Sequence, residues 1–185
     1  MSDMRSMTLK EAAGILNVPP HRIIHLCESD VVKPEVNAKG RGTVRRFSPD
    51  NLFIAAVALR LQDAGLTVKQ LVLVRDAFDW LTRVAALRRE VEEGGLIGVI
   101  AGLETGKKPA LLHVALSDFP TGSRERKSQG AHGGVLVALE CSRRLPQPAQ
   151  SRMSFHTDDK NLIGIPVRIV VNLTQLCRDF RSRIA

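Results

Sequence analysis

The chain has 185 residues, of which 44% are hydrophobic, so it is long enough to bury one core of ordinary size or two small ones. Its formal net charge of +8 and isoelectric point near 10.0 make a polyanion the natural partner, although charge alone does not distinguish DNA, RNA and an acidic membrane surface. Its three cysteines are far apart without CxxC spacing, and no apolar run suits a signal peptide or a membrane span; we expect a soluble, cytoplasmic protein with reduced thiols.

Two short helices joined by a proline turn are predicted near the amino terminus. Thr8 suits the N-cap of the first helix, and Glu11 stands three residues further on, as in a capping box. Pro19 and Pro20 then force a turn and fit only the first turn of a second helix, which we expect from about Pro20 to Glu28. This order is typical of a helix-turn-helix. The polar side of the second helix carries His21, Arg22 and His25.

A basic hairpin is predicted to follow these helices. Residues Val31–Val36 and Thr43–Phe47 favour extended structure, and they flank a glycine turn at Lys39–Gly42. We refer to residues 31–47 as the wing. Ser48 is the expected cap of the next helix, with Pro49 at its first position.

The order helix, turn, helix, basic wing, capped helix resembles the DNA-binding domain of the MerR family of transcription regulators. The resemblance covers roughly the first 75 residues. It is carried by the opening helix Thr8–Ala13, the wing segment Gly42–Ser48 and the segment Asp63–Leu71. It implies that a homodimer binds double-stranded DNA sequence-specifically, distorts a promoter and so alters the access of RNA polymerase.

One part of the second helix departs from the family pattern. Many members have Ile-Arg-Tyr-Tyr where this chain has Ile23-Ile24-His25-Leu26, and Asp30-Val31 replaces the usual Gly-Leu pair. Phosphate contacts must then come from Arg22, His25, Arg45 and Arg46.

A DNA-binding site is predicted from the wing, the second helix and the resemblance. Basic side chains on these elements would supply phosphate contacts, whereas His21, Arg22 and His25 are candidates for base edges. The alternative is a solvated basic surface. The predicted contact residues are Thr8, Lys10, His21, Arg22, His25, Lys39, Arg41, Arg45 and Arg46.

Two longer helices are expected after the wing. The first is a buried support helix from Pro49 to Ala64, which stops at Gly65. The second begins near Thr67, with a possible break near Val74, and it carries an apolar seam while Arg75 and other charged residues lie elsewhere around it. The resemblance implies that this seam forms an antiparallel coiled coil across a homodimer; covering the chain's own core is the alternative. The seam residues are Ala77, Trp80, Val84, Leu87 and Val91.

The rest of the chain is predicted to form a small α+β domain, so the fold class of the whole chain is α+β. The predicted elements are a hairpin of Ile97–Leu103 and Ala110–Leu116, strands at Val135–Glu140 and Ile165–Val171, and a last helix capped by Asn172. The predicted domains are a winged helix at 1–74, a dimerisation helix at 75–94 and an α+β effector, oligomerisation or partner module at 95–185.

No pattern in the sequence favours catalysis, a metal or a cofactor. His21 and His25 are four residues apart on a helix, but the glutamate of an HExxH motif is missing and no cysteine pair accompanies the other histidines. We therefore predict a binding protein and not an enzyme, with an unknown effector as a further partner. The rivals are a DNA-bending architectural or recombination accessory protein, such as an excisionase or partition factor, and a protein-interaction module that has lost DNA binding.

Overall fold

The computed structural model of the protein describes residues 6–37, 44–88, 95–103, 110–117, 134–140, 153–156 and 167–184. Contacts divide the chain into two compact units, which we call the first unit, Met1–Gly102 with Thr174–Ala185, and the second unit, Leu103–Leu173. Helices and small sheets are both present in the described part, which confirms the α+β class.

The first unit is mainly helical. Its elements are β1 (Met7–Thr8), α1 (Leu9–Leu16), α2 (Pro20–Glu28), β2 (Arg46–Phe47), α3 (Pro49–Asp63), α4 (Val68–Arg88), α5 (Leu96–Leu103) and most of α6 (Leu173–Ile184). The predicted bounds of α2 and the predicted start of α3 are confirmed. Among the described residues α4 is continuous through Val74, so the break considered there does not occur.

Local capping explains where three of these helices begin. The Thr8 side chain accepts a hydrogen bond from the backbone N–H of Glu11, and the Ser48 side chain accepts one from the backbone N–H of Asn51. In return, the side chains of Glu11 and Asn51 accept a hydrogen bond from the backbone N–H of the cap residue. Thr67 donates from its backbone N–H to the Gln70 side chain over 2.7 Å at the start of α4. Since each cap spans only three residues, the sequence is sufficient to predict these starts.

The first arm of the wing is less regular than predicted. Val31 and Val32 both donate their backbone N–H to the Leu26 carbonyl, over 2.9 and 3.1 Å, so they continue the end of α2. Only Val36 forms a bridge to the other arm among the described residues, by reciprocal backbone hydrogen bonds with Arg46. A strand over 31–36 was therefore a wrong prediction, because Val31 and Val32 are both buried in the unit's core instead of alternating in a sheet.

Helix α5 corrects the prediction of a hairpin arm at Ile97–Leu103. The Asp50 carboxylate accepts the backbone N–H groups of Leu96 and Ile97, over 2.7 and 2.9 Å, and so caps this helix from α3. Gly95 precedes the helix at φ +91°, and a Cβ there would collide with the Asp50 carboxylate. The β-branched residues of this segment favoured a strand, but the cap that Asp50 supplies from α3 stabilises a helix.

The second unit contains a four-stranded sheet with strand order β5-β4-β3-β6. Its strands are β3 (Leu111–Ser117), β4 (Gly134–Glu140), β5 (Met153–His156) and β6 (Val167–Asn172). Strand β3 pairs antiparallel with β4 and β6, whereas β4 and β5 are parallel. Three of these strands are confirmed predictions, and β5 was missed. The proposed loops at 120–134 and 142–151 lie almost entirely outside the described residues.

Helix α6 packs on the first unit although it follows the last strand of the second unit. Phe180 meets Phe53 of α3 edge to face, with ring centroids 6.0 Å apart. Arg183 donates to the Ile15 carbonyl at the end of α1 over 3.2 Å. The domain limits 1–74, 75–94 and 95–185 stay a prediction, but contacts group both α5 and α6 with the first unit.

Candidate nucleic-acid interface

The turn between α1 and α2 is built from backbone geometry. Asn17 ends α1 in the left-handed conformation, with φ +53°, and the Val18 N–H returns to the Ala13 carbonyl over 3.1 Å. Pro19 then precedes α2 in extended conformation, and Pro20 opens the helix without losing a hydrogen bond. This turn fixes the direction in which α2, the predicted recognition helix, leaves α1.

The recognition helix has a buried side and an exposed side. Ile23 and Leu26 are completely buried, so they anchor α2 to the core of the first unit. His21 and His25 are exposed, one helical turn apart, on the side away from that core. Both imidazoles are therefore accessible to a ligand while the apolar side of α2 stays packed on the core.

Arg22 is held by an ion pair within the first unit. Its guanidinium donates to the Asp63 carboxylate over 2.5 Å and to the Gln62 side chain over 3.2 Å. The side chains of Arg22 and Asp63 are 28% and 63% exposed, respectively. Because exposed ion pairs contribute about 0–1 kcal/mol, Arg22 can exchange Asp63 for a phosphate at little cost in stability.

The second arm of the wing is anchored by the strand pairing of its base. Thr8 of β1 is in register with Arg46 of β2, and Met7 with Phe47, which is completely buried. Arg46 also bridges to Val36 of the first arm. The base of the wing is therefore joined to the start of α1, a pairing that was not predicted from the sequence.

Arg45 lies on the second arm of the wing, next to β2. Its Nε donates to the Asn37 side chain across the wing over 3.3 Å. Burial raises the pKa of the Cys27 thiol on α2, and the positive charge of Arg45 partly offsets that rise, while Glu28 adds to it.

Some predicted contact residues have other roles or lie outside the described residues. The Thr8 hydroxyl is engaged with Glu11, both as acceptor from its backbone N–H and as donor to its carboxylate. Lys10 is exposed on α1. Lys39 and Arg41, at the tip of the wing, lie outside the described residues.

Residues 7–77 match the family model of the MerR HTH family regulatory proteins. The amino-terminal part of the chain is a MerR-family helix-turn-helix region. Comparison with curated proteins gave no match. The MerR match covers both helices, the wing, α3 and the first half of α4, which confirms the resemblance recognised in the sequence. A region of this family indicates DNA binding and the regulation of transcription.

The middle of α4 packs in the core of the first unit. Ala77 is 2% exposed and Leu81 is 1% exposed, so both belong to the chain's own core. Trp80 is half-buried. Two further predicted seam residues, Val84 and Leu87, lie on α4, and Val91 is outside the described residues.

A buried arginine joins α4 to the end of the recognition helix, and it was not predicted. Arg75 is 7% exposed and donates to the backbone carbonyl of Asp30 over 2.7 Å. It also contacts the carboxylates of Asp30, Asp76 and Asp79. Burial alone would lower the pKa of Arg75, but the hydrogen bond to Asp30 and the charge of Asp76 raise it overall. The contact could not be predicted from local sequence patterns, because Asp30 and Arg75 are 45 residues apart.

In the ranges given above, no three His, Cys, Asp or Glu side chains are grouped so that they could hold a metal ion. No described helix is both long enough and apolar enough to cross a membrane.

Proposed function

We propose that the protein is a dimeric, sequence-specific regulator of transcription that binds double-stranded DNA through α2 and the wing. The observation that carries this proposal is the MerR-family match over residues 7–77, within which the recognition helix exposes His21 and His25 and the wing carries Arg45. Arginines would neutralise phosphates, and the imidazoles would reach base edges in the major groove.

The proposed DNA-contacting residues have different roles. Arg45, Arg46, Lys10, Lys39 and Arg41 supply positive charge for the backbone of the duplex. Thr8 supports them by fixing α1, because its hydroxyl is used in the capping box. Arg22 leaves Asp63 when DNA binds and contacts either a phosphate or a base edge. The affinity should therefore depend steeply on salt.

The proposed dimer places two such sites on one duplex. The proposed seam consists of Trp80, Val84, Leu87 and Val91, with Ala77 contributing from the core side. Two wings of one dimer would distort the DNA between two half-sites and change the access of RNA polymerase to a promoter. The second unit is proposed to be an effector, oligomerisation or partner module.

Fluorescence anisotropy with duplexes in a salt series tests the DNA-binding part of the proposal. The double variant Arg45→Glu/Arg46→Glu should abolish binding while its far-ultraviolet circular dichroism stays unchanged. Single neutral variants should reduce the slope of log K against log salt by roughly 0.9 for each phosphate that is no longer neutralised. A double reversal on α6, Arg178→Glu/Arg181→Glu, is the matched control, because both arginines are exposed there and neither belongs to the proposed site.

The outcomes separate the proposal from its rivals. Undiminished affinity in the wing variant would contradict the wing assignment, and an equal reduction in the α6 control would mean that binding depends only on net charge. Absence of duplex binding by the unaltered protein at low salt would favour a protein-interaction module. Genomic fragments bound at promoters support a regulator, whereas attachment or partition sites would support an architectural protein.

Sedimentation equilibrium tests the proposed dimer. The unaltered protein should have twice the mass of one chain, and Val84→Glu/Leu87→Glu should reduce it to one chain, because the charges would oppose apolar contact across the seam. Arg83→Glu, at an exposed position of the same helix, is the control and should remain dimeric. A monomeric unaltered protein would contradict this part of the proposal.

A further inference from the structure

We infer that Arg75 is a positioning residue that fixes the recognition helix and the base of the wing to α4. The inference rests on the proposed DNA-binding function and adds a residue that does not itself contact DNA. Arg75 is 7% exposed, although a guanidinium is costly to bury without several partners. The contacts of its guanidinium must therefore account for its burial.

The first partner of Arg75 is the point where the chain leaves the recognition helix. Asp30 has φ +57°, the left-handed conformation, two residues after α2 ends. Nη1 of Arg75 donates to the Asp30 carbonyl over 2.7 Å and to its carboxylate over 3.2 Å. A non-glycine residue in this conformation is unusual, and the arginine holds both its backbone and its side chain.

The same guanidinium is fixed on its own helix. Nε and Nη2 of Arg75 both lie 2.8 Å from the Asp76 carboxylate, and the Asp79 carboxylate lies 3.6 Å from Nε. The planar fork is thus oriented by α4 at one edge and grips Asp30 at the other. An ammonium group could supply the charge but not both sets of directed hydrogen bonds.

Two buried valines connect this clamp to the wing. Val31 and Val32 follow Asp30 directly, are both 1% exposed, and donate their N–H groups to Leu26 of α2. A shift of Asp30 would therefore move the end of the recognition helix and the start of the wing together. Because α4 continues toward the proposed dimer seam, Arg75 would set the angle at which both DNA-reading elements meet the duplex.

The clamp should matter for sequence discrimination more than for overall attraction to DNA. Arg75 is buried and ion-paired, so its substitution removes no proposed phosphate contact and should leave the salt slope unchanged. Base-edge contacts depend on the placement of α2 and should weaken. A purely structural arginine would instead lower binding to every duplex in parallel, because less of the protein would be folded.

The test compares two duplexes of equal length, one selected by the unaltered protein from a random library and one of mixed sequence. Arg75→Met should weaken binding to the selected duplex by about 3- to 30-fold, the usual range for residues that couple sites. Binding to the mixed duplex and the salt slope should change less than about twofold. Arg75→Lys should be intermediate. Arg83→Met is the matched control, since Arg83 is exposed on the same helix and donates to the Asp79 backbone.

Hydrogen exchange in the free protein provides a readout that does not depend on DNA. The amides of Val31 and Val32 should exchange faster in Arg75→Met, while the amide of Leu52 in α3 should not change. If Arg75→Met does not fold, Arg75→Lys is measured in the same two ways and decides the question.

Three results would overturn the inference. They are unchanged affinity for the selected duplex, a parallel reduction on both duplexes, or unchanged exchange at Val31 and Val32. If the unaltered protein selects no sequence from the library, the proposed function fails, and this inference fails with it. Discrimination by the unaltered protein together with an unaffected Arg75→Met variant would overturn the role of Arg75 alone.

Discussion

The packing of α6 on the first unit predicts that Phe180→Ala destabilises the helix-turn-helix region. Phe180 is 3% exposed and meets the completely buried ring of Phe53 edge to face, with an interplanar angle of 71°. Truncating a buried phenylalanine to alanine costs about 3–5 kcal/mol, which includes the cavity left behind. Small proteins are stable by only about 5–15 kcal/mol, so this destabilisation would be a large part of the total.

Urea unfolding followed by tryptophan fluorescence measures this effect in the relevant unit. Trp80 is the only tryptophan, and it lies on α4 of the first unit, so its signal reports unfolding there. Ser182→Ala, at an exposed position of α6, is the control and should change the free energy of unfolding by less than about 0.5 kcal/mol. A Trp80 transition that does not move in Phe180→Ala would refute the packing of α6 on this unit.

Three further predictions concern caps and a thiol. Asp50→Ala should destabilise the first unit by about 0.5–2 kcal/mol, because α5 loses its cap; unchanged urea unfolding would argue against it. Thr8→Ala should cost a similar amount through the capping box of α1, whereas Thr8→Ser, which keeps the hydroxyl, should cost less in the same assay. The raised pKa of Cys27 keeps the thiol protonated, so at pH 8 it should react with iodoacetamide more slowly than free cysteine. Mass spectrometry follows the labelling, and Arg45→Glu should slow it further, since the cation that favours the thiolate is removed; faster labelling would contradict this electrostatic account.

Features of the fold that depend on neighbouring residues could be predicted from the sequence. Thr8 and Ser48 cap their helices through residues only three positions away, and Pro20 suits the first position of α2. The last helix was predicted to follow Asn172, and α6 begins at Leu173. These features required no knowledge of the rest of the fold.

Features that depend on distant residues could not be predicted. Helix α5 is capped by Asp50, which precedes it by more than forty residues, and its β-branched composition favoured a strand. Arg75 was expected away from the apolar seam of α4, and its burial, which depends on the contact with Asp30, was not predicted. The pairing of Arg22 with Asp63 also links two helices that are far apart in the sequence.

The sequence predicted which elements form the candidate site, but it did not predict which of their basic side chains are held by ion pairs. The exposed positions of His21 and His25 follow from the period of α2, with Ile23 and Leu26 facing the core. Whether a basic side chain is available depends on its partner, and only the fold identifies the partner of Arg22. The distinction matters because an ion-paired arginine must exchange its partner before it can bind DNA.

Selection of duplexes from a random library by the unaltered protein tests the central claim most directly. A dimer with two recognition helices should enrich one sequence arranged as an inverted repeat, with half-site centres about one helical turn apart or a multiple of it. Retained fragments without any shared sequence, or no retained fragments at low salt, would contradict sequence-specific binding through α2 and the wing.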